Sequence, residues 1–168
     1  MKLILLLLIS LTYTPLLSAA TPPGEVPISG NLRNEFMQGL TGPPIMLSSY
    51  QGKPLLINVW ASYCGPCLAE MRSIEALHQR YNTQFNVIGV SIDDYPIRAN
   101  AFLKKANTTF MHYIDHKLIL ETMFGAQSIP LTLLVDAQGR ILAKVKGARE
   151  WDSPEIIQAI GETFEMSM

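Results

Sequence analysis

Two cysteines separated by two residues are the side chains of this chain that point most directly to chemistry. They are its only cysteines, and they stand in Cys64-Gly65-Pro66-Cys67, shortly after the apolar run Leu55 to Trp60. A helix beginning at the first cysteine would place Cys64 beside free backbone N–H groups and the positive end of the helix dipole, which favour a thiolate. Cys67, one turn further on, would be less exposed. This asymmetry suits disulfide exchange, because an exposed thiolate can attack a disulfide and a sheltered thiol can resolve the mixed disulfide.

Two other uses of the same cysteines are open at this point. A structural zinc ion takes four ligands, and the sequence has no second cysteine pair, although His112 and His116 have a spacing that zinc ligands use. A permanent structural disulfide between Cys64 and Cys67 would close a very short loop, so it would stabilise the fold only weakly. Redox exchange is therefore our first hypothesis, and we predict neither a metal nor a cofactor.

Composition narrows the class of protein. The 168 residues, 48% of them apolar, suffice for one compact domain with a full core. The 13 basic and 14 acidic residues give a net charge of -1, and neither sign forms a run. The charge balance therefore gives no indication of a basic surface that would bind nucleic acid. We therefore expect a partner to be recognised by shape and thiol chemistry.

The N-terminus predicts export. Lys2 precedes the apolar stretch Leu3 to Ile9, and Ser18-Ala19-Ala20 offers small residues for cleavage. Residues 1–20 are therefore predicted to be a signal peptide or, if uncleaved, an N-terminal membrane anchor. Either outcome predicts a periplasmic or otherwise extracytoplasmic location. In such an oxidising compartment, a chain that keeps two cysteines in one exchange-competent motif keeps them for chemistry.

The chain divides into three parts. After residues 1–20, residues 21–41 are predicted to hold a Pro/Gly-rich spacer, flexible or extended, and a short amphipathic helix at 31–40. The spacer would hold the domain away from a membrane or the chain end. Residues 42–168 are predicted to form the domain itself.

Strands and helices alternate in this domain. A strand at 55–60, a helix at 64–81 and a strand at 85–92 require a parallel, right-handed crossover. A helix entered through 93–96 is predicted next, then a short segment at 111–114 and a short helix over 117–124. Strands over 131–135 and 140–146, joined by a turn, and a last helix entered through 152–155 complete the pattern. The pattern predicts an α/β fold.

Three motifs resemble the thioredoxin superfamily, and more narrowly the exported TlpA/ResA/DsbE-like thiol-disulfide oxidoreductases. They are Trp60-Ala61-Ser62-Tyr63-Cys64-Gly65-Pro66-Cys67, Ser128-Ile129-Pro130 before a strand, and Val135-Asp136-Ala137-Gln138-Gly139-Arg140 before a closing helix. The resemblance covers about residues 42–163. It implies a thioredoxin fold, with a central mixed β-sheet flanked by helices and an α-helical insertion after the second core strand, at Asp94 to Phe124.

The resemblance also implies catalytic roles. Cys64 and Cys67 would form the redox-active disulfide, and Glu70 would complete the motif C-x-x-C-x-x-E. If Glu70 is desolvated beneath the disulfide, its pKa should be raised, and it could take the Cys67 proton. The alternative is a solvent-facing helix glutamate. Thioredoxin proper has a buried Asp six residues before the first cysteine, where this chain has Asn58.

A substrate-binding surface is implied as well. Ile129-Pro130 would be a cis peptide that faces the cysteines and offers backbone hydrogen bonds to an extended substrate, whereas base rates alone favour a trans proline. Gly65 and Pro66 would belong to the same surface. Trp60 would shape its rim, and a plain core tryptophan is an equally good interpretation.

The predicted function is therefore an extracytoplasmic reductase of protein disulfides. The resemblance implies apocytochrome c, in cytochrome c maturation, as one substrate and a membrane thiol-disulfide transporter as the electron donor. Three alternatives stay open: a thiol peroxidase of the related peroxiredoxin type, a copper-binding assembly module, and a redox sensor that binds its partner in one thiol state only.

Overall fold

A mixed seven-stranded sheet forms the centre of the computed structural model, which describes residues 21–168. The predicted signal peptide or anchor at residues 1–20 lies outside this range. The strands are β1 (Phe36–Gly39), β2 (Ile45–Met46), β3 (Leu55–Trp60), β4 (Asn86–Ser91), β5 (Met111–Ile114), β6 (Leu131–Val135) and β7 (Ile141–Lys146). The helices are α1 (Gly65–Tyr81), α2 (Pro96–Ala106), α3 (Ile119–Phe124) and α4 (Pro154–Phe164), with a 3-10 turn at Leu47–Tyr50. None of these helices in residues 21–168 is long and apolar enough to cross a membrane.

Strand β3 lies in the middle of the sheet and carries the cysteine loop at its carboxyl end. The sheet order is β2-β1-β5-β4-β3-β6-β7, with β3 parallel to β4 and antiparallel to β6. All six residues of β3 are buried, as expected of a continuous apolar run covered on both faces. Helices α1, α2 and α4 contribute to the core on one face, whereas α3 and the N-terminal segment contribute to the other. The predicted thioredoxin fold is confirmed.

The predicted short helix at residues 31–40 is wrong. Residues Phe36–Gly39 form strand β1, which pairs with β2 on one side and with β5 on the other. The spacing of Leu32, Phe36, Met37 and Leu40 suited a helical face, but the open edge of β5 offers backbone hydrogen bonds that an isolated short helix lacks. Pairing with the sheet therefore overrides the local pattern.

The Pro/Gly-rich spacer is extended but does not hold the domain at a distance. Val26 is buried, and its N–H donates to the Met123 carbonyl at 2.9 Å. The Ser29 N–H donates to the Ile141 carbonyl at 2.8 Å, and Glu25 forms an ion pair with Lys144. The folded unit therefore begins well before residue 42, because this segment covers one face of the sheet.

The predicted helical insertion contains a strand as well as helices. Between Asp94 and Phe124 the chain forms α2, β5 and α3, and β5 pairs in parallel with β4. The predicted α-helical insertion is thus not confirmed, because the segment at Met111–Ile114 between its helices is a strand of the sheet. Strand β5 extends the sheet on the β4 side, and its residues His112 and Tyr113 are buried.

Gly89→Ala is expected to destabilise the fold by about 2–3 kcal/mol, because overpacked cores lose roughly this much. A Cβ on Gly89 in β4 would lie 2.2 Å from Nδ1 of His112 and 2.9 Å from Nε1 of Trp60, and both rings are fully buried. Urea unfolding measures the change. Gly65→Ala is the control, since a Cβ there meets no atom within 4 Å. Equal midpoints for the two variants would contradict the packing described here.

Candidate redox site

The cysteine pair occupies the first turn of α1. Cys64 is the N-cap residue, Pro66 lies in the first turn, and the Cys64 N–H donates to the Ala61 carbonyl at 3.0 Å. Cys64 and Cys67 are joined by a disulfide, and the Cys67 N–H donates to the Cys64 sulfur at 3.2 Å. The exposed fraction is 8% for Cys64 and 0% for Cys67. The predicted asymmetry is present, since Cys64 is the more exposed of the two cysteines and lies where the helix end favours negative charge.

Asp93 anchors the loop that presents Cys64. Its carboxylate accepts hydrogen bonds from the Ser62 N–H at 2.9 Å, the Ser62 hydroxyl at 2.6 Å and the Ser91 hydroxyl at 2.7 Å. Sequence reasoning missed this role. A signal was available, because Asp93 follows β4 closely and the carboxyl ends of parallel neighbours such as β3 and β4 meet at one edge of a sheet.

Glu70 is buried, with 2% of its surface exposed, so the solvent-facing alternative is wrong. One carboxylate oxygen accepts from Nδ2 of Asn58 at 2.7 Å. The other accepts from Nε1 of Trp151 at 3.0 Å and from the Arg149 N–H at 3.2 Å. Burial raises the pKa of Glu70, and the hydrogen bonds from Trp151, Asn58 and Arg149 offset part of this effect. The pKa of Glu70 is thus shifted in the direction that makes its carboxylate a better proton acceptor.

Asn58 allows this site to hold Glu70 with or without its proton. Its Nδ2 also donates to the Thr132 hydroxyl at 3.0 Å, while its Oδ1 has no hydrogen-bond partner among the described residues. A half-turn of the amide would present Oδ1 to Glu70, where it could accept a hydrogen bond from the protonated carboxyl. An aspartate at this position would instead place a second negative charge beside Glu70.

Ile129-Pro130 is a cis peptide, as the resemblance implied. Val59 of β3 pairs with Leu131 of β6, so Pro130 lies level with the end of β3 from which the cysteine loop departs. The Pro130 carbonyl accepts from the Gly147 N–H at 2.9 Å, whereas in residues 21–168 the backbone N–H and carbonyl of Ile129 have no partner. The fold therefore leaves the backbone N–H and carbonyl of Ile129 unpaired within the described residues.

The remaining predicted surface residues divide into two kinds. Gly65 and Pro66 are exposed beside Cys64, so they are accessible to a partner. Trp60 is fully buried and stacks on Phe102 with ring centroids 4.5 Å apart. The prediction that Trp60 binds substrate is therefore wrong. Trp60 is a core tryptophan at the end of β3, where the cysteine loop begins.

The two histidines with zinc-like spacing lie in different surroundings. His112 is buried, its Nε2 is hydrogen-bonded to the Thr108 hydroxyl at 2.8 Å, and burial lowers its pKa to about 3. His116 is exposed. Across residues 21–168, no group of three or more His, Cys, Asp or Glu side chains is placed to hold a metal ion.

Trp151 and Arg149, like Asp93, are site residues that the sequence did not reveal. Trp151 lies 81 residues after Glu70 in the chain, and Arg149 contributes only a backbone N–H, so no motif spacing connects them. Together the site combines an accessible sulfur at a helix N-terminus, a sheltered sulfur one turn later, a buried carboxyl group and an open backbone edge. This arrangement suits disulfide exchange with a polypeptide.

Comparison with known proteins agrees with this chemistry. The family model for Redoxin matches residues 29–160. The thiol-disulfide oxidoreductase ResA of Geobacillus thermodenitrificans is 26% identical over 145 residues, covering 86% of this chain and 83% of that protein. ResA of Bacillus thuringiensis subsp. konkukian is 26% identical over 128 residues, covering 76% of this chain and 74% of that protein.

A solved structure extends the likeness to three dimensions. The crystal structure of a candidate thiol:disulfide interchange protein DsbE from Chlorobium tepidum aligns with a TM-score of 0.75 and 25% identity, over 82% of this chain and 98% of that one. Disulfide-containing proteins are the general substrates of such enzymes. The chain therefore belongs to the Redoxin family, and it is a thiol-disulfide oxidoreductase of the thioredoxin superfamily, like TlpA, ResA and DsbE.

Proposed function

We propose that this protein is an extracytoplasmic reductase of protein disulfides. The observation that carries the proposal is the pairing of an accessible Cys64 at the start of α1 with a buried Glu70 one turn beyond Cys67. The export-like residues 1–20 support a location outside the cytoplasm. Gly65-Pro66 between the cysteines supports the reducing direction, since thioredoxins that act as reductases resemble this chain there.

The reaction begins with the reduced pair. The Cys64 thiolate attacks one sulfur of the substrate disulfide, a Cys64–substrate disulfide forms, and the second substrate sulfur leaves as a thiolate. Cys67 then gives its proton to Glu70 and attacks the Cys64 sulfur. The substrate leaves with both sulfurs reduced, having gained two electrons, and the Cys64–Cys67 disulfide is restored.

A donor must return two electrons to the disulfide after each cycle. We propose a membrane thiol-disulfide transporter as that donor, and apocytochrome c with oxidised haem-site cysteines as one substrate. Both follow from the resemblance to the exported branch of the superfamily. The unpaired backbone of Ile129 supports a substrate that binds as an extended segment beside Cys64.

Insulin reduction tests the proposal. With dithiothreitol as the donor, the protein should accelerate insulin reduction through many turnovers per molecule, because each cycle regenerates the dithiol. A redox sensor would give no repeated turnover. Rapid consumption of hydrogen peroxide by the reduced protein would support a peroxidase instead, and copper retained after purification without chelators would support an assembly module. Any of these results, without insulin turnover, would contradict the proposal.

Trp151→Phe is expected to move the pH profile of the resolution step to higher pH by about one unit. The substitution keeps an aromatic ring but removes one of the hydrogen bonds that lower the pKa of Glu70. A hydrogen bond to a charged group contributes about 1.5–3 kcal/mol, and one pKa unit is about 1.4 kcal/mol. Stopped-flow measurement of mixed-disulfide resolution across pH gives the profile. The shift should vanish when Glu70→Gln is also present, and a shift that persists there would contradict the assignment.

A further inference from the structure

A groove runs from Cys64 along the space between α1 and α2. It has a volume of about 380 Å³ and lies on the side of Cys64 that α2 covers. The groove is lined by the cysteine loop, by α1 and by α2. The lining residues are Ser62, Tyr63, Cys64, Gly65, Leu68, Arg98, Ala101, Phe102 and Lys105. Cys64 is thus one of the residues that form the groove wall. Any substrate segment that reaches Cys64 from this side must pass along α2.

Helix α2 presents one basic face to the groove. Arg98 and Lys105 are seven residues apart, with Ala101 and Phe102 between them, so the helical repeat places all four on one side. Arg98 and Lys105 are both exposed, and neither forms an ion pair within the described residues. No carboxylate lines the groove. Two positive charges in the same groove as Cys64 therefore have no ion-pair partner among residues 21–168.

Three acidic residues lie near Tyr63, which itself lines the groove. Tyr63, which is exposed beside Cys64, has Asp93, Asp94 and Glu121 near enough to help raise the pKa of its hydroxyl, after the larger effect of burial. Asp93 is itself buried and hydrogen-bonded to Ser62 and Ser91, so it does not pair with the cations of α2. Acidic residues therefore lie near Tyr63 in the groove wall, whereas Arg98 and Lys105 supply positive charge from α2.

We propose that this groove selects protein disulfides that carry a carboxylate beside the cysteine attacked by Cys64, with the carboxylate bound by Arg98 and Lys105. The inference rests on the proposed reductase function and names the class of substrate for the same site. Leu68, which is partly exposed, gives the segment an apolar contact in the groove. Charge complementarity near a reactive group acts mainly on the rate of productive encounter, so selection should appear in rates and should weaken with salt.

Three small disulfides of similar size provide the test: dithiodiglycolate with two negative charges, 2-hydroxyethyl disulfide with none, and cystamine with two positive charges. The reduced protein is mixed with each, and oxidation of the Cys64–Cys67 pair is followed by acid quenching and thiol alkylation. The neutral compound reports thiolate reactivity, so the ratio of the dithiodiglycolate rate to the neutral rate isolates recognition of charge. In Arg98→Glu/Lys105→Glu this ratio should fall about tenfold, and the cystamine ratio should rise.

The matched control reverses one lysine and one arginine that lie near the carboxyl end of α1, away from the groove. Lys53 precedes β3 and Arg80 lies in the last turn of α1, so Lys53→Glu/Arg80→Glu makes the same change in net charge about 20 Å or more from Cys64. That distance exceeds the Debye length of about 8 Å at physiological salt, and both ratios should stay at the wild-type value. Arg98→Gln/Lys105→Gln should give intermediate ratios.

The outcomes distinguish failure of the proposed charge selection from failure of the proposed reductase function. A fall in the dithiodiglycolate ratio confined to the α2 variants supports the inference. Normal rates with ratios that do not differ between the α2 variants and the control would overturn the inference and leave the reductase function standing. Failure of all three disulfides to oxidise the wild-type pair would overturn the proposed function, and the inference with it.

Discussion

Cys67→Ala is expected to stop turnover and to leave the protein covalently attached to its substrates. Cys64 is the cysteine that a partner can reach, and Cys67 is fully buried one turn further along α1. Without the Cys67 sulfur, the mixed disulfide formed by Cys64 has no internal thiol to resolve it. Non-reducing gel electrophoresis of the variant after incubation with an oxidised protein substrate should show stable adducts that disappear when dithiothreitol is added.

Cys64→Ala is the matched control for this experiment. It removes the accessible sulfur and leaves only a thiol with no exposed surface, so the yield of adducts should fall by about 10²-fold or more, the scale on which loss of a catalytic group acts. Both variants should lose insulin reduction completely. Equal trapping by the two variants would overturn the assigned order of attack.

Glu70→Gln is expected to slow the resolution step by about 10²-fold, because it removes the group that takes the proton from Cys67. Glutamine has nearly the same shape as glutamate and can be satisfied in the same place. Its carbonyl oxygen can accept from Trp151 and Arg149, while its amide can donate to Oδ1 of Asn58 after a half-turn of the Asn58 side chain. Loss of rate can therefore be separated from loss of fold.

Single-turnover kinetics measure this effect, with Glu155→Gln as the control. Glu155 is exposed in the first turn of α4 and should leave the rate unchanged. The attack of Cys64 on the substrate should be nearly unaffected in Glu70→Gln, and only the release of the reduced substrate should slow. A variant that resolves its mixed disulfide at the wild-type rate would remove Glu70 from the mechanism.

The same variant should change how stability depends on pH. The pKa of Glu70 is raised in the folded protein, chiefly by burial, so over the interval above its ordinary pKa the folded state binds more protons than the unfolded state. Stability from this group is therefore present at low pH and is lost as pH rises through the folded pKa. Urea unfolding of Glu70→Gln across this interval should show a weaker decline with rising pH than the wild type.

The central part of the fold was predictable because local signals and tertiary demands agree there. The apolar run Leu55–Trp60 predicts a buried strand, and Pro66 just after Cys64 suits the first turn of a helix. Local signals and tertiary demands disagree at residues 31–40. The apolar spacing there suggests a helix, but Phe36–Gly39 pairs with the edge of β5 as a strand. The long-range pairing that decides this segment has no local trace in the sequence.

The site shows the same division between near and distant residues. Cys64, Cys67 and Glu70 follow one another at helical spacing, so their roles could be proposed from the motif and the family resemblance. The Trp151 side chain that holds Glu70 comes from a loop before α4, and it reaches the carboxylate only after the sheet has formed. The basic face of α2 was also missed, because its significance depends on the packing of α2 beside the cysteine loop.

The reduction potential of the Cys64–Cys67 pair tests the reductase assignment most directly. Equilibration of the purified protein with defined mixtures of reduced and oxidised glutathione, followed by thiol alkylation, gives the fraction oxidised at each ratio. A protein-disulfide reductase should have a potential at or below about -220 mV, in the direction of thioredoxin at about -270 mV. A value near about -120 mV, where strongly oxidising disulfides lie, would contradict the account.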